Sequence, residues 1–458
     1  MYRPNPYDQP PDFRALADAY IALKPHLKEI RSGVTIDFHD PNAVRCLTEA
    51  LLHRDFDLSM TLPENRLCPP VTITRILRRV NYILLLEHIV SAMSLAFGEG
   101  DRSTIFGLDI GTGASAIYPL LGCRRNKNWH FTATEVDEVC AEYASKNINQ
   151  NRLHDRITLV RSRPSGPIFP MESTSITYDF TMCNPPFYCD REEVLRSAEA
   201  KEVGPNAVCT GADIEMITPG GEAGFVRRMI EESVHYPNRC RWYTSMLGKM
   251  SSLTELVKIL HAKKIQNYGI TELVQGTTKR WVIAWSFTDA HLPDSLGRIA
   301  NPALQTIMPS KNTLKHTIPF ITSEDDIHIK LAQILTNVEG LKTRPSKTSG
   351  TETESPPGVI IEAIGNTWSR AARRKKLTAT SQRGDSAGQS VPQLVCHIAV
   401  NSGQDKAESQ RSVSQRVELI FQWLRGCERT LFESFVSHIC RKVDSSLSTS
   451  DAERMDIA

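Results

Sequence analysis

No two of the eleven cysteines form a Cys-x-x-Cys pair, and eleven is an odd number. The chain therefore has neither the spacing of a zinc ribbon nor the paired count of a secreted disulfide framework, and a reducing compartment suits it. It also lacks an excess of charge of either sign: 54 Lys and Arg face 52 Asp and Glu, a formal +2 over 458 residues. That excludes binding nucleic acid by bulk charge, as a histone or ribosomal-protein tail does, so any nucleic-acid surface has to be local. Long apolar runs are missing too. The most apolar stretch, Tyr82 to Phe97, is broken by Glu87 and His88 and reads as too short and too charged to span a bilayer; the opening MYRPNPYDQPPDF has no apolar core for a secretion signal. What is there is 40% hydrophobic, 23% charged and 7% aromatic, the balance of a globular chain with room for about three domains.

Between about Pro41 and Phe287, apolar strand-like runs alternate with helical patterns, the mark of a parallel sheet flanked by helices. Residues 105–109, 129–134, 157–160, 178–182 and 281–287 read as buried strands, and 114–122, 137–151, 222–233 and 252–260 as helices. The expectation is an extension over 1–40, one α/β domain over 41–288, a linker over 289–323 and a second ordered unit over 324–443. That unit would hold a helix over 324–341, strands over 359–364, 393–400 and 417–423, and a last helix with Leu431, Phe432, Phe435 and Ile439 on one face. Stretches 342–358 and 378–392, dense in Ser, Thr, Pro, Gly and charge, read as disordered insertions, and 444–458 as a tail.

Leu108-Asp109-Ile110-Gly111-Thr112-Gly113 is a strand end running into a glycine turn that opens a helix. Glycines there let the backbone approach a ligand, and the helix start adds free N–H donors. The pattern Gly111-x-Gly113-x-x-Ala116 also fits the dinucleotide fingerprint of dehydrogenases, and a tight turn with no ligand is the bland reading. The next strand ends at Glu135, 26 positions after Asp109, where a carboxylate can bind ribose hydroxyls, and both NAD and S-adenosylmethionine carry a ribose. Asn184-Pro185-Pro186-Phe187 tips the choice. Two prolines fix an extended backbone and remove two N–H donors, which leaves local carbonyls free to accept. The Asn184 amide oxygen and the Pro185 carbonyl can then hold both hydrogens of an adenine amino group, with Phe187 as a stacking surface. A dehydrogenase needs no such element; a proline-rich strand exit capped by Asn is the plain alternative.

Together the glycine turn and NPPF resemble class I methyltransferases acting on amino groups of adenine or glutamine. Longer strings narrow this: PPDF (10–13), DPNAVRCLTEALLHRDF (40–56), RRVNYI (78–83), DIGTGASAIYPLLG (109–122), ATEVD (133–137), CNPPF, RWYTSMLGK (241–249) and QGTTKRWVIAWSF (275–287). These are similar to the adenine-N6 RNA methyltransferases of U6 small nuclear RNA and to their bacterial ribosomal-RNA relatives, over most of residues 8–287. The resemblance implies an α/β, class I Rossmann-like domain of seven strands, S-adenosylmethionine as cofactor and no metal. It places Asp109, Gly111 and Gly113 at the cofactor, Gly111 against its methionine part, Glu135 on its ribose and Arg79 on its carboxylate. Asn184, Pro185, Pro186 and Phe187 become the catalytic element, with Asn184 also next to the cofactor. The family contacts the adenosyl group from the loop after 157–160, but here that loop reads Arg161-Ser-Arg-Pro-Ser-Gly166 and departs from the pattern. Lys249, Lys279 and Arg280 would meet RNA phosphates at the rim, with Thr277 at a position that is basic in the family. The polar stretch 189–209 beside the site suits a mobile lid, or a plain surface insertion. The implied mechanism is direct displacement, with no strong general base.

Arg370, Arg373, Arg374, Lys375 and Lys376 put five positive charges into seven residues. Such a cluster neutralises RNA phosphates or directs nuclear import, and composition does not separate the two. The string FQWLRGCERTLFESFVSHICRKV (421–443) resembles the vertebrate-type conserved region, which in the eukaryotic branch binds the RNA stem outside the methylated loop. It implies a smaller C-terminal α+β RNA-binding domain on a flexible tether. The expected function is therefore methylation of U6 small nuclear RNA or a similar structured hairpin, in the nucleus first and the cytoplasm second. A ribosomal RNA adenine, a protein glutamine amide and a non-catalytic RNA-binding adaptor stand as alternatives.

Overall fold

The computed structural model describes residues 12–455 except 32, 39, 64–72, 101, 200–212, 276–277, 320–323, 347–357, 370–371, 373, 375–390 and 404–415. Asp12 accepts the Arg14 and Ala15 N–H groups and opens α1 (Phe13–Ala19); Asp40 caps α2 (Pro41–Phe56), whose leading proline has no N–H to satisfy. Between them lies a hairpin, β1 (Leu27–Ile30) and β2 (Gly33–Ile36). Phe13, Leu16, Leu23 and Ile36 are buried in the same core as α2 and the long α3 (Ile73–Phe97). The described part of the 1–40 extension is thus packed into the catalytic core. From Arg79 to Phe97, α3 is long and apolar enough to pass for a membrane span, contrary to the expectation for Tyr82–Phe97. Its Tyr82, Ile83, Leu86 and Ile89 are buried against the sheet, which accounts for the apolarity.

The elements that follow alternate as the sequence suggests: β3 (Ile105–Ile110), α4 (Ile117–Arg125), β4 (Trp129–Glu135), α5 (Glu138–Gln150), β5 (Ile157–Arg161), β6 (Tyr178–Cys183), α6 (Arg191–Glu199), α7 (Asp213–Met216), α8 (Gly221–Ser233), β7 (Cys240–Leu247), α9 (Met250–Ala262), β8 (Tyr268–Gln275) and β9 (Thr278–Trp285). The seven strands form one sheet in the order β5-β4-β3-β6-β7-β9-β8, in which β9 alone runs opposite to the other six. Strand order reverses between β3 and β6, the crevice where open α/β sheets bind ligands. There Asp109 pairs with Met182 and Ile110 with Cys183, so the glycine turn and Asn184 leave adjacent strands side by side.

The second unit starts earlier than expected. The described part of the expected linker, residues 289–319, is no linker: it holds α10 (Asp294–Gly297), a 3-10 turn (Pro302–Ile307) and β10 (Thr313–Thr317), which pairs with β14 (Arg416–Arg425). The helix expected over 324–341 is α11 (Glu324–Thr336); Gly340 then takes φ +74° and the chain turns into β11 (Leu341–Pro345). Residues 342–345 of the supposed disordered insertion are therefore a strand, paired with β12 (Gly358–Ala363). With β13 (Leu394–Gly403) these form an antiparallel sheet ordered β10-β14-β13-β12-β11. The final helix α12 (Arg429–Met455) runs through the expected tail and buries Val443 and Leu447. Of the insertion 378–392, residues 378–390 lie outside the described residues.

Nor is the second unit tethered loosely. Ile360, Val395 and Leu424 on one face of its sheet share a core with Ile89, Met93 and Ala96 of α3, while α11 and α12 cover the other face. The guanidiniums of Arg241 and Arg425 each stand 4.8 Å from the Phe97 ring centre. Arg425 Nε is 3.0 Å from Asp289 Oδ2, and Arg344 donates to the Leu95 carbonyl at 2.8 Å, capping the end of α3.

Candidate active site

The glycine turn begins one residue past β3. Gly111 and Gly113 have φ of +70° and +66°, values that side-chain-bearing residues rarely take, and a Cβ at either would meet nothing within 4 Å. Open space lies over this backbone. The Gly113 N–H donates to Glu135 Oε2 at 2.8 Å, while Glu135 Oε1 accepts the Val136 and Asp137 N–H groups at 2.8 and 2.9 Å. A carboxylate has about four lone-pair sites, so Glu135 organises the turn and keeps room for a hydroxyl. Asp109 is 1% exposed; burial, with Glu135 adding repulsion, pushes its carboxyl up to about 7, and its Oδ2 has no hydrogen-bond partner.

On the adjacent strand, the end of β6 is held from behind. Tyr82 of α3, fully buried, accepts the Cys183 N–H at 3.3 Å and donates to Thr244 Oγ1 at 2.7 Å; that hydroxyl donates to the Thr181 carbonyl at 2.7 Å. The next residue is Asn184, whose Oδ1 is buried with no partner. Pro185 and Pro186 carry the chain to Phe187, where the Tyr188 N–H donates to the Met216 carbonyl and the Thr218 N–H to the Tyr188 carbonyl, both at 3.0 Å. The Arg280 guanidinium stands 5.7 Å from the Phe187 ring centre, and burial lowers its pKa. Arg79 bonds the hydroxyl of Tyr118, whose ring packs edge-on to Tyr82 at 5.8 Å, so Arg79 sits beside the same site.

The fold thus brings Arg79, Asp109, Gly111, Gly113, Glu135, Asn184, Pro185, Pro186, Phe187 and Arg280 to one end of the sheet. The rim lysines are arranged otherwise than expected. Lys249 is paired with Glu193 of α6, whose carboxyl that contact holds at about 2, and Lys279 lies 3.1 Å from Glu272 across β8 and β9. Both cations already have a carboxylate partner. Arg374 is exposed, and Arg370, Arg373, Lys375, Lys376 and Thr277 lie outside the described residues. Sequence reasoning missed Tyr82, Thr181 and Thr244, and also Glu222, whose carboxylate accepts the Gly248 and Lys249 N–H groups. Tyr82 belongs to the RRVNYI string, but its job depends on a strand about a hundred residues away.

The buried Asp109 Oδ2 and Asn184 Oδ1, neither with a hydrogen-bond partner, belong to residues at the ends of adjacent strands, beside a turn with open space above it. That set fits a ligand bringing N–H donors and positive charge, as S-adenosylmethionine and an adenine amine do. Comparison with known proteins agrees. A family model for RNA methyltransferases matches residues 1–289. The RNA N(6)-adenosine-methyltransferase mettl16 of Danio rerio is 37% identical over 391 residues, covering 82% of this chain and 79% of that protein. The U6 small nuclear RNA (adenine-(43)-N(6))-methyltransferase of Schizosaccharomyces pombe is 35% identical over 422 residues, covering 92% and 97%. Among solved structures, the hMettl16 catalytic domain in complex with MAT2A 3′UTR hairpin 1 aligns with a TM-score of 0.56 at 41% identity, over 63% of this chain and 96% of that one. The N-terminal domain of human METTL16 in complex with SAH aligns at 0.50 and 40%, over 63% and 99%.

Proposed function

The chain belongs to the family of S-adenosylmethionine-dependent RNA adenine-N6 methyltransferases, and on that premise we propose that it methylates an unpaired adenine of U6 small nuclear RNA or a similar hairpin. S-adenosylmethionine would supply a methyl group on a sulfonium sulfur: as the amine nitrogen bonds the methyl carbon the carbon–sulfur bond would break, S-adenosylhomocysteine would leave, and one amino proton would pass to solvent. Asn184 Oδ1 accepts one amino hydrogen and the Pro185 carbonyl the other. These bonds tighten as the nitrogen rehybridises, so they favour the transition state over the ground state. Pro186 keeps the backbone extended, and Phe187 offers its ring to the base. Arg79 has the fork geometry to grip a carboxylate, and Asp109 and Glu135 provide acceptors on either side of the glycine turn. The second unit, docked on the catalytic domain, offers the stem of a hairpin a second surface, and the Arg370–Lys376 cluster adds local positive charge. We place the protein in the nucleus; relocation to the cytoplasm on neutralising that cluster would support this.

One observation carries the reading: the buried, unpartnered Asn184 Oδ1 at the crevice. Transfer of labelled methyl from S-adenosylmethionine to total small RNA tests it, with the product nucleoside identified by mass spectrometry. N6-methyladenosine in U6 RNA that vanishes with Asn184→Ala is the expected result. Labelled protein glutamine, or no transfer at all, would overturn it.

A further inference from the structure

Glu222 lies outside the NPPF motif and the glycine turn, yet its carboxylate accepts three hydrogen bonds, as many as Glu135. It stands in the first turn of α8 and is 2% exposed. Its Oε2 accepts the Gly248 N–H at 2.6 Å; its Oε1 accepts the Lys249 N–H at 2.8 Å and the Ser252 hydroxyl at 2.7 Å. Lys249 is the N-cap residue of α9, so Glu222, 27 positions upstream, holds the N–H groups of that residue and of the one before it and fixes the turn by which the chain enters the helix.

Every segment around that carboxylate touches the element that holds the adenine. Gly248 lies flat against Phe187: a Cβ there would come within 3.1 Å of Phe187 Cδ1 and also of Glu222 Oε2. Gly221, next to Glu222, packs on the backbone that follows, 3.3 Å from the Phe187 carbonyl oxygen and 3.5 Å from Cys189 N measured from an ideal Cβ. The Arg280 guanidinium over the Phe187 ring feels the Glu222 charge. One anion thus ties the start of α8, the turn from β7 into α9 and a rim arginine around a single aromatic ring.

We propose that Glu222 is a positioning residue for methyl transfer, holding the Gly248–Lys249 turn against Phe187 so that the stacked adenine meets a fixed surface with its amine at Asn184. This rests on the adenine-methylating reading above. Glutamine at 222 keeps one acceptor oxygen but turns the other into a donor facing backbone donors, so at least one of the bonds from Gly248 and Lys249 is lost. Small displacements at a reacting centre cost one to two orders of magnitude in rate. Glu222→Gln in the full chain should lower kcat for a hairpin RNA by about ten- to a hundredfold. Affinity for S-adenosylhomocysteine should stay within about twofold, since the cofactor is held by other elements. Glu222→Asp keeps the charge with a shorter reach and should fall between the two. Gly248→Ala pushes on the same ring from the turn without touching the carboxylate, and should reproduce the kcat loss even if the position 222 variants fold poorly.

Hydrogen exchange over 246–252 gives a readout independent of turnover: Glu222→Gln should deprotect the Gly248 and Lys249 amides while the α5 amides keep their protection. Unchanged kcat and unchanged exchange in Glu222→Gln would overturn the proposal. So would a loss of rate that merely tracks the folded fraction or S-adenosylhomocysteine binding. If the wild-type chain methylates no RNA, the methylation reading fails instead, and the exchange result alone decides whether Glu222 clamps the turn.

Discussion

At Asp109, burial and the nearby Glu135 hold a carboxyl at about 7 that would titrate near 4 in an unfolded chain. The folded state therefore binds this proton more tightly. The group's contribution to stability is fully present below about pH 4 and is lost as pH rises to about 7, with a limiting slope of about 1.4 kcal/mol per pH unit. Asp109→Asn has no such proton. The ligand-free variant should gain thermal stability relative to wild type between pH 5 and 7 and hold that gain above pH 7, as calorimetry would show. Parallel pH profiles for the two proteins would refute this. Tyr82→Phe removes the acceptor of the buried Cys183 N–H and the donor to Thr244. An unsatisfied buried donor costs about 1–3 kcal/mol, so the denaturation midpoint should fall accordingly. Turnover should drop beyond that loss of folded protein, because the strand end that carries Asn184 loses its anchor.

Elements fit here through notches as well as through apolar faces. Gly107 of β3 faces the Phe180 and Phe131 rings, where an added Cβ would fall within 2.6–2.7 Å, and Gly122 of α4 takes the other side of Phe131 at 2.7 Å. Phe131 is wedged between a strand and the helix that follows it. Gly107→Ala should therefore destabilise by about 1–3 kcal/mol through overpacking. Adding Phe131→Leu should cost less than the sum of the two single changes, since the clash and the cavity compensate. Additive losses in urea unfolding would mean that the ring moves aside freely. At this scale five of the seven sheet strands were readable, because buried strands are continuous apolar runs, while β7, β8 and the helices α2, α3 and α6 were not named from the sequence. Ends were not readable. The final helix outran its expected stop because Leu447, four residues past Val443 at the end of the recognised string, keeps the apolar spacing.

For the molecule as a whole, the decisive contact is the end of α3, where Phe97 lies against Arg241 of the catalytic domain and Arg425 of the second sheet. Buried apolar residues from both units meet beside it, and the Asp289–Arg425 pair and the Arg344 bond to Leu95 complete the junction. The two units should unfold in one calorimetric transition. Phe97→Ala removes the ring that both guanidiniums cover and leaves them without that partner, so it should split the melt into two steps. A single transition in the variant would mean that the apolar contacts alone couple the units. Because α3 also carries Arg79 and Tyr82, the second sheet is fixed to the helix that lines the active site.

The sequence by itself determined the chemistry and the class of fold. Asn184 to Phe187 and the turn at Gly111 and Gly113 are local backbone devices, whose meaning rests on neighbours in the chain, and the alternation of strands and helices is equally local. The tertiary structure decided what joins distant residues: the Tyr82 anchor under Cys183, the Glu222 clamp on Gly248 and Lys249, the carboxylates paired with Lys249 and Lys279, and the docking of the second unit through 289–319. A segment that reads as a linker by composition became part of the sheet and junction because β14 and α3 offered it hydrogen bonds and apolar surface. The β10–β14 bonds and the burial of Ala290, Leu292 and Leu296 with α3 depend on partners about a hundred or more residues away, so no local pattern could announce them.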